Sequence, residues 1–462
     1  MPKVKGPLFS IGASGTLGNA ITFKKGIEGQ RVEKVPRPHD RRSAAQETHR
    51  TSFIRAASYW YSLNAVKRAY AAEKGTELRM TAYNFTIREY LLGHRIPGGI
   101  AGGTVYKISL DNTAHDTFGL AYPATYKFSI PAALANGKVY HRHDTGDEWG
   151  ELTVKTPDDF FNGIEAARFD YDNNFAYVSA AFEFGNDIYI AVTDAFNEGQ
   201  DIGFEEICEY YDARKAVVTW TADDWWLAEK VPHEAMCCAM RARNIWVSDG
   251  LGCGYSIYGD PFSAVDVQAQ LDLGCLEVAS HSMTHPWCPY GDYDSEIGGS
   301  RDQIFAKLVL PAHYRKGGTE RLPLWIEPYG DWDATVGAKL GTYDYLCDRL
   351  YNYLSPGQGT GWAAWNVGWN HYNRIGFYFL VQDSYEHDLP TLKAGFDTVY
   401  AAGGIYHCMT HPQAVADWTD SGYFCLHLDW MKDKKDVWYV PFGAMYMYHY
   451  LEERGKVIVA TV

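Results

Sequence analysis

Apolar and polar positions follow three successive patterns along this chain. After a start rich in Gly, Ser and Thr, Ile21-Thr22-Phe23 is a short strand candidate. Residues 31–42 (RVEKVPRPHDRR) read as extended and basic, because Pro36 and Pro38 exclude a helix interior. Phe53, Ala56, Ala57, Trp60, Leu63 and Val66 then recur at three- and four-residue steps, which predicts a helix with one apolar face. Ser62 is a candidate cap for a second segment running to Ala72 and ended by Gly75, and residues 80–92 predict a third helix. Pro97-Gly98-Gly99 and Gly102-Gly103 read as a linker.

Over residues 104–195 the period changes to two. Short alternating runs (TVYKISL, ATYKFSI, ELTVKT, FAYVSAAFEF, DIYIAVT) are separated by turn residues such as Asp111-Asn112 and Asn136-Gly137. This predicts several short strands, read as a β-sandwich. From about residue 213, apolar strands (KAVVTWTA, LEVASHS, LPLWIEPYG, RIGFYFLVQ) alternate with longer stretches read as helices (SRDQIFAKL, TYDYLCDRLYNYL, DLPTLKAGFDTVYAAG). Such alternation implies a parallel sheet with covering helices, open or closed as a barrel. The expected fold class is therefore multidomain, α+β and α/β. It has a small helical N-terminal module over 1–97, a β-sandwich spacer or carbohydrate-binding domain over 98–212, and a parallel α/β unit, open or closed as a barrel, over 213–462.

Composition narrows this picture. With 462 residues, 46% hydrophobic and 21% charged, the chain has the make-up of a folded globular protein rather than a disordered one. The formal net charge is −15, unevenly spread: residues 1–95 carry 17 Lys and Arg against 7 Asp and Glu, and the remainder 25 against 50. A basic segment on an acidic body suggests an anchoring region and argues against nucleic acid as the substrate. The 9 Cys include no CxxC, and Cys237 and Cys238 are adjacent, so reduced and mostly buried thiols are expected. No apolar run approaches a membrane span, and residues 1–18 have no signal-peptide core. Aromatics reach 15%, including 34 Tyr and 15 Trp; strand cores explain this first, and a sugar-binding surface second.

Four places carry candidate chemistry. Asp223-Asp224 follow the strand KAVVTW, where parallel sheets gather their active sites and two carboxylates divide into a cation ligand and a proton acceptor. Taken singly, the pair is more often a turn. His281 and His285, four apart after LEVAS, present two imidazoles to one point; with a carboxylate they make a zinc set that leaves a position open for water. Glu327-Pro328-Tyr329-Gly330 and His411-Pro412 also stand at strand ends, and each is open to a simple turn reading.

The order of these sites, TADD, HSMTHP, IEPYG and MTHP, resembles the polysaccharide deacetylase family (NodB-homology, carbohydrate esterase 4) over residues 213–455. The flanks LEVASHSMTHP and DYDSEIGGSRDQI, and the tail HLDWMKDKKDVWYVPFGAMYMYHYLEER, share the likeness. The resemblance implies a distorted (β/α) barrel over 213–462 and a divalent metal, zinc-class, on Asp224, His281 and His285. It implies Asp223 as general base, His411 as the acid for the leaving group, and the backbone N–H of Tyr329 as oxyanion donor. Trp225, Trp226 and Trp325 are candidates for lining a sugar groove, with core packing as the alternative. The arginine that orients the base in the family's third motif is missing: Ile326 or Glu327 stands there. Gln382-Asp383 is the candidate for the fourth motif.

The first 95 residues resemble N-terminal modules of tailed-bacteriophage structural proteins, on the stretches SAAQETHRTSFIRAASYW and AYNFTIREYL. Together the resemblances imply a deacetylase of bacterial surface polysaccharide carried in a virion. Residues 1–97 would meet other virion proteins, and a homo-oligomer without membrane insertion is expected. The alternatives are a non-catalytic virion structural or receptor-binding protein, for which the missing arginine speaks, and a cytoplasmic deacetylase of a small substrate.

Overall fold

The computed structural model describes most of residues 52–92, 100–110, 122–182, 187–353 and 374–460, with short gaps, and three strands before residue 35. The chain divides into two compact units, Met1–Gly98 and Gly99–Val462. In the first, the strands Gly15–Leu17, Ile21–Gly26 and Gly29–Lys34 form an antiparallel sheet. The helices Ala65–Glu77 and Ala82–Leu91 bury Ala71 and Phe85 against Leu63. Thr81 caps the second helix by accepting the Asn84 N–H. Gly75 does not end the first helix: it lies inside it, where a Cβ would stand 3.0 Å from the Met80 carbonyl of the returning chain. Ser62, Pro97-Gly98-Gly99 and residues 35–42 lie outside the described residues.

The second unit contains two five-stranded, largely antiparallel sheets. One runs Gly203–Ile207, Ala124–Ser129, Phe175–Ala180, Ala166–Asp170, Val154–Lys155. The other runs Lys456–Val459, Val105–Ser109, Ile188–Thr193, Lys138–Arg142, Gly150–Glu151. Phe128, Phe169 and Val178 of one meet Ile108, Ile188 and Ile190 of the other in a single core. A strand from the far C-terminus thus completes a sheet begun near residue 105.

A nine-stranded parallel sheet of half-barrel form positions the candidate site. Its strands are β1 (Ala216–Trp225), β2 (Val247–Leu251), β3 (Leu276–Ser280), β4 (Leu324–Ile326), β5 (Cys347–Tyr353), β6 (Arg374–Phe377), β7 (Phe379–Leu380), β8 (Ile405–Thr410) and β9 (Val437–Tyr439). The order is β6-β5-β4-β3-β2-β1-β8-β7, with β9 also paired to β1. Both faces are covered, which is why β1 reads as a continuous apolar run. Val217 joins the core shared with the antiparallel sheets, while Val218 and Trp220 join the second core, under the helices Lys230–Arg241, Ala334–Thr342 and Leu389–Ala402.

Residues 342–354, read from sequence as a helix, hold strand β5 instead. The preceding helix ends at Thr342, and Asp344 turns the chain with φ 58°. Cys347, Asp348 and Arg349 are then buried in succession, as in a strand covered on both faces, which overrides the helical spacing of the apolar residues.

The sheet's floor is fastened by Glu277 of β3. Its buried carboxylate accepts the N–H groups of Gly443 (2.7 Å) and Ala444 (3.2 Å), the first turn of the helix Phe442–Arg454, and the Ser248 hydroxyl (2.6 Å). An anion at a helix N-terminus satisfies otherwise unpaired donors and the helix dipole together. Gly443 permits the approach, since a Cβ there would stand 2.9 Å from a Glu277 oxygen. All nine cysteines are free, and six are buried, as the sequence suggested. Among the described residues no helix is long and apolar enough to cross a membrane.

Candidate active site

The sequence-predicted residues Asp223, Asp224, His281, His285, Tyr329 and His411 meet at the C-terminal ends of β1, β3, β4 and β8. Consecutive residues of a regular strand face opposite sides, so Asp223 and Asp224 could not share a site in an undistorted β1. The register of β1 against β2 shifts between Ala222 and Trp225, and Asp224 takes φ 72°. This bulge re-aims the pair. Asp223 pairs with the buried Arg349, and Asp224 turns toward the histidines.

The two histidines stand on a tight loop rather than a helical turn. Ser282 (φ 69°) and His285 (φ 56°) are left-handed, and the Ser282 hydroxyl accepts the His285 N–H at 2.8 Å. Glu296 holds the loop from the acidic stretch that follows it: its carboxylate accepts the N–H groups of Met283 (3.0 Å) and Thr284 (2.9 Å) and the Thr284 hydroxyl (2.6 Å). With Tyr329 at φ 58°, four non-glycine residues of one site are left-handed. Each such residue costs about 1–3 kcal/mol, and the surrounding contacts hold them in place.

His281 Nε2 and His285 Nε2 are 3.0 Å apart, and Asp224 Oδ1 lies 3.3 and 3.5 Å from them. Ligands about 2.0–2.1 Å from a tetrahedral zinc-class ion stand roughly 3.3 Å from one another, so the three atoms fit such an ion. His281 Nδ1 donates to the Ile326 carbonyl at 2.9 Å, which leaves the Nε2 lone pair facing the convergence point. Asp224 Oδ1 is buried and faces the two imidazole nitrogens, as suits an atom whose partner is a cation.

The electrostatics agree. Burial works against ionisation of Asp224, but the hydrogen bond and charge of His281, with the charges of His411 and His285, outweigh it and hold the carboxyl below its usual range. Burial likewise works against a charged His281, yet Asp224 and Asp223 raise its pKa. His285 is pushed down to about 3 by burial and by the charge of His281.

The guanidinium that sequence comparison found missing is present. Arg349 stands on β5 directly opposite Ile326 of β4, and its Nη2 donates to Asp223 Oδ1. Ile326 and Glu327 still occupy the third-motif position, and the guanidinium beside Asp223 comes from the neighbouring strand. His411, at the end of β8, receives orientation from Gln382, whose Oε1 is 2.8 Å from Nδ1, while Nε2 lies 3.8 Å from Asp224 Oδ2. Burial lowers the His411 pKa; Asp223 and Asp224 oppose the shift, and Arg349 and His281 reinforce it.

The three predicted groove tryptophans are not on the surface. Trp225, Trp226 and Trp325 are all 0% exposed. Trp225 stacks on His233, Trp325 meets Tyr345 edge-on, and Trp226 fills space that a Cβ on Gly252 would enter. Strand ends in a covered sheet send such side chains into the core. An exposed tryptophan beside the site is Trp287, at 64%, stacked on Tyr329 with centroids 3.7 Å apart and planes 2° apart. Tyr329 meets the His285 ring at 4.3 Å, and its hydroxyl bonds that of Tyr258. The proline and cysteine beside Trp287 in HPWCP gave no sequence signal for this stack.

No protein-family model matches this chain, and no curated protein does. Among solved structures the chain is similar to polysaccharide deacetylases. One is a putative polysaccharide deacetylase from Mycobacterium smegmatis, with TM-score 0.37 and 11% identity over 54% of this chain and 96% of that one. A probable polysaccharide deacetylase from Pseudomonas aeruginosa gives 0.35 and 11% over 52% and 92%. Puue allantoinase gives 0.37 and 11% over 53% and 92%.

Proposed function

We propose that this chain is a metal-dependent deacetylase that removes N- or O-acetyl groups from a bacterial surface polysaccharide. The observation that carries the reading is the convergence of Asp224, His281 and His285, ligand atoms 3.0, 3.3 and 3.5 Å apart, beside a separate carboxylate, Asp223, held by Arg349. A zinc-class ion on those three residues would acidify a water molecule and polarise the acetyl carbonyl. Asp223 accepts the proton of the attacking water, and the buried Arg349 keeps its carboxylate in position. His411, oriented by Gln382, gives a proton to the departing amine or alkoxide; its lowered pKa favours that release. The Tyr329 backbone N–H serves as oxyanion donor in this scheme. The non-catalytic reading rested on a missing arginine, and Arg349 answers that objection. The basic excess and the phage-like stretches of residues 1–97 support a virion location, with that segment docking on other virion proteins.

The test is metal content and acetate release from a panel of acetylated glycans, for wild type and His281→Ala. The variant is expected to lose about one metal ion per chain and its acetate release together. Undiminished acetate release from His281→Ala would overturn the reading.

Trp287, flat, exposed and backed by Tyr329, supports a sugar ring as the group held beside the site. Trp287→Ala is expected to raise KM for an oligosaccharide about three- to tenfold, the worth of one stacked aromatic, with kcat little changed. Initial rates across oligosaccharide concentration check this, and an unchanged KM would remove Trp287 from the substrate path.

A further inference from the structure

A second group of metal-ligating side chains lies far from this site, at the rim of the core between the antiparallel sheets. His141 and His143 alternate with Arg142, so they share the face of their strand that carries the fully buried Val139. Arg142 turns to the other side, over the rings of Trp149 and Tyr189. Glu165 reaches the two imidazoles from the opposite sheet, just before the strand Ala166–Asp170. Its Oε1 is 3.6 Å from His141 Nδ1, and one ligand atom from each of the three residues lies within 4.8 Å of the others.

One residue orients two of the three. The Ala181 carbonyl lies 2.9 Å from His143 Nε2, and the Ala181 N–H donates to Glu165 Oε1 at 2.9 Å. A carbonyl only accepts, so His143 carries its proton on Nε2, leaving Nδ1 as the nitrogen with a lone pair. A backbone carbonyl that fixes the tautomer of a histidine is the usual outer support of a metal-ligating imidazole.

We propose that His141, His143 and Glu165 form a second divalent-metal site, of the zinc class, that ties the two antiparallel sheets together. Two imidazoles and a carboxylate suit zinc and leave a position for water. Glu165 Oε1 and His141 Nδ1, 3.6 Å apart across the two sheets, stand a little wider than the roughly 3.3 Å of a closed tetrahedral set, so binding draws the sheets together at this rim and stabilises them by linkage. The inference does not depend on the deacetylase reading.

The experiment uses the full chain with His281→Ala and His285→Ala, stripped with EDTA and given zinc alone. About one zinc per chain is expected to remain after desalting, with a thermal midpoint raised by a few degrees. Adding His143→Gln or Glu165→Gln is expected to abolish both effects, with circular dichroism confirming that each variant is folded. In the wild-type background, His143→Gln is expected to lower the zinc count from about two to about one and leave acetate release unchanged. No zinc on the His281→Ala/His285→Ala chain, or zinc that survives both Gln substitutions, would overturn the proposal. Acetate release separately reports the first site.

Discussion

Asp223→Asn is expected to lower acetate release about 10²- to 10⁴-fold while the chain keeps its metal at the first site. The amide has the shape of the carboxylate and cannot take up a proton. Asp223 Oδ1 faces Arg349, whereas Asp224 Oδ1 stands with the two histidines and is the ligand oxygen in the proposed scheme. A loss of turnover with metal retained therefore separates proton transfer from metal binding, which His281→Ala cannot do. The substitution also leaves Arg349, fully buried, without its counter-charge, so a lowered thermal midpoint is expected beside the lost rate. The measurement pairs kcat with metal content, taken well below the midpoint. Wild-type kcat in Asp223→Asn would remove the base from the mechanism and leave a metal site without the chemistry assigned to it.

Arg349→Met is expected to destabilise the chain by about 3–5 kcal/mol, because it strands the Asp223 charge in the interior. Arg349 touches no substrate in this reading; it positions the base. A carboxylate displaced by an ångström costs roughly 10²-fold, so kcat is expected to fall by that order with KM little changed. A purely structural role would move the midpoint and leave the kinetic coupling untouched. The double variant decides between them. Residues that act as a unit are not additive, so Arg349→Met in the Asp223→Asn background is expected to cost little further rate and to regain part of the stability. Arg349→Lys is expected to rescue only partly, since an ammonium cannot reproduce the planar fork. Rate losses that simply multiply in the double variant would show that Arg349 does not act through Asp223.

How far the site was legible follows from how local each signal is. The Asp pair, the histidines four apart and the late His each carry their own short pattern at the end of an apolar run, and those runs became β1, β3 and β8. Arg349 gave no such signal: it lies 126 residues from Asp223, in a segment whose apolar spacing reads as a helix rather than the strand it forms. The tryptophans were misplaced because composition reports how many flat rings a chain has and not which side of a strand end they take. Trp287 was passed over for the same reason, although it is exposed beside the site. In the antiparallel sheets the alternating runs were readable as strands, but the pairing of Lys456–Val459 with Val105–Ser109 was not, since hydrogen-bond partners across some 350 residues leave no mark in either stretch.

The sequence by itself determined that β1, β3, β4 and the run holding β6 and β7 are strands of a covered sheet, and which side-chain types stand at the ends of β1, β3 and β4, because burial and turn chemistry act over a few residues. Only the tertiary structure decided that Asp223 and Asp224 serve one site, through a bulge and a left-handed residue in β1. It also decided that a guanidinium from β5 takes the place left open on β4, and that His141 and His143 meet Glu165 across two sheets. Register and sheet order bring these groups together, and both are set by the packing of the whole core rather than by any one segment.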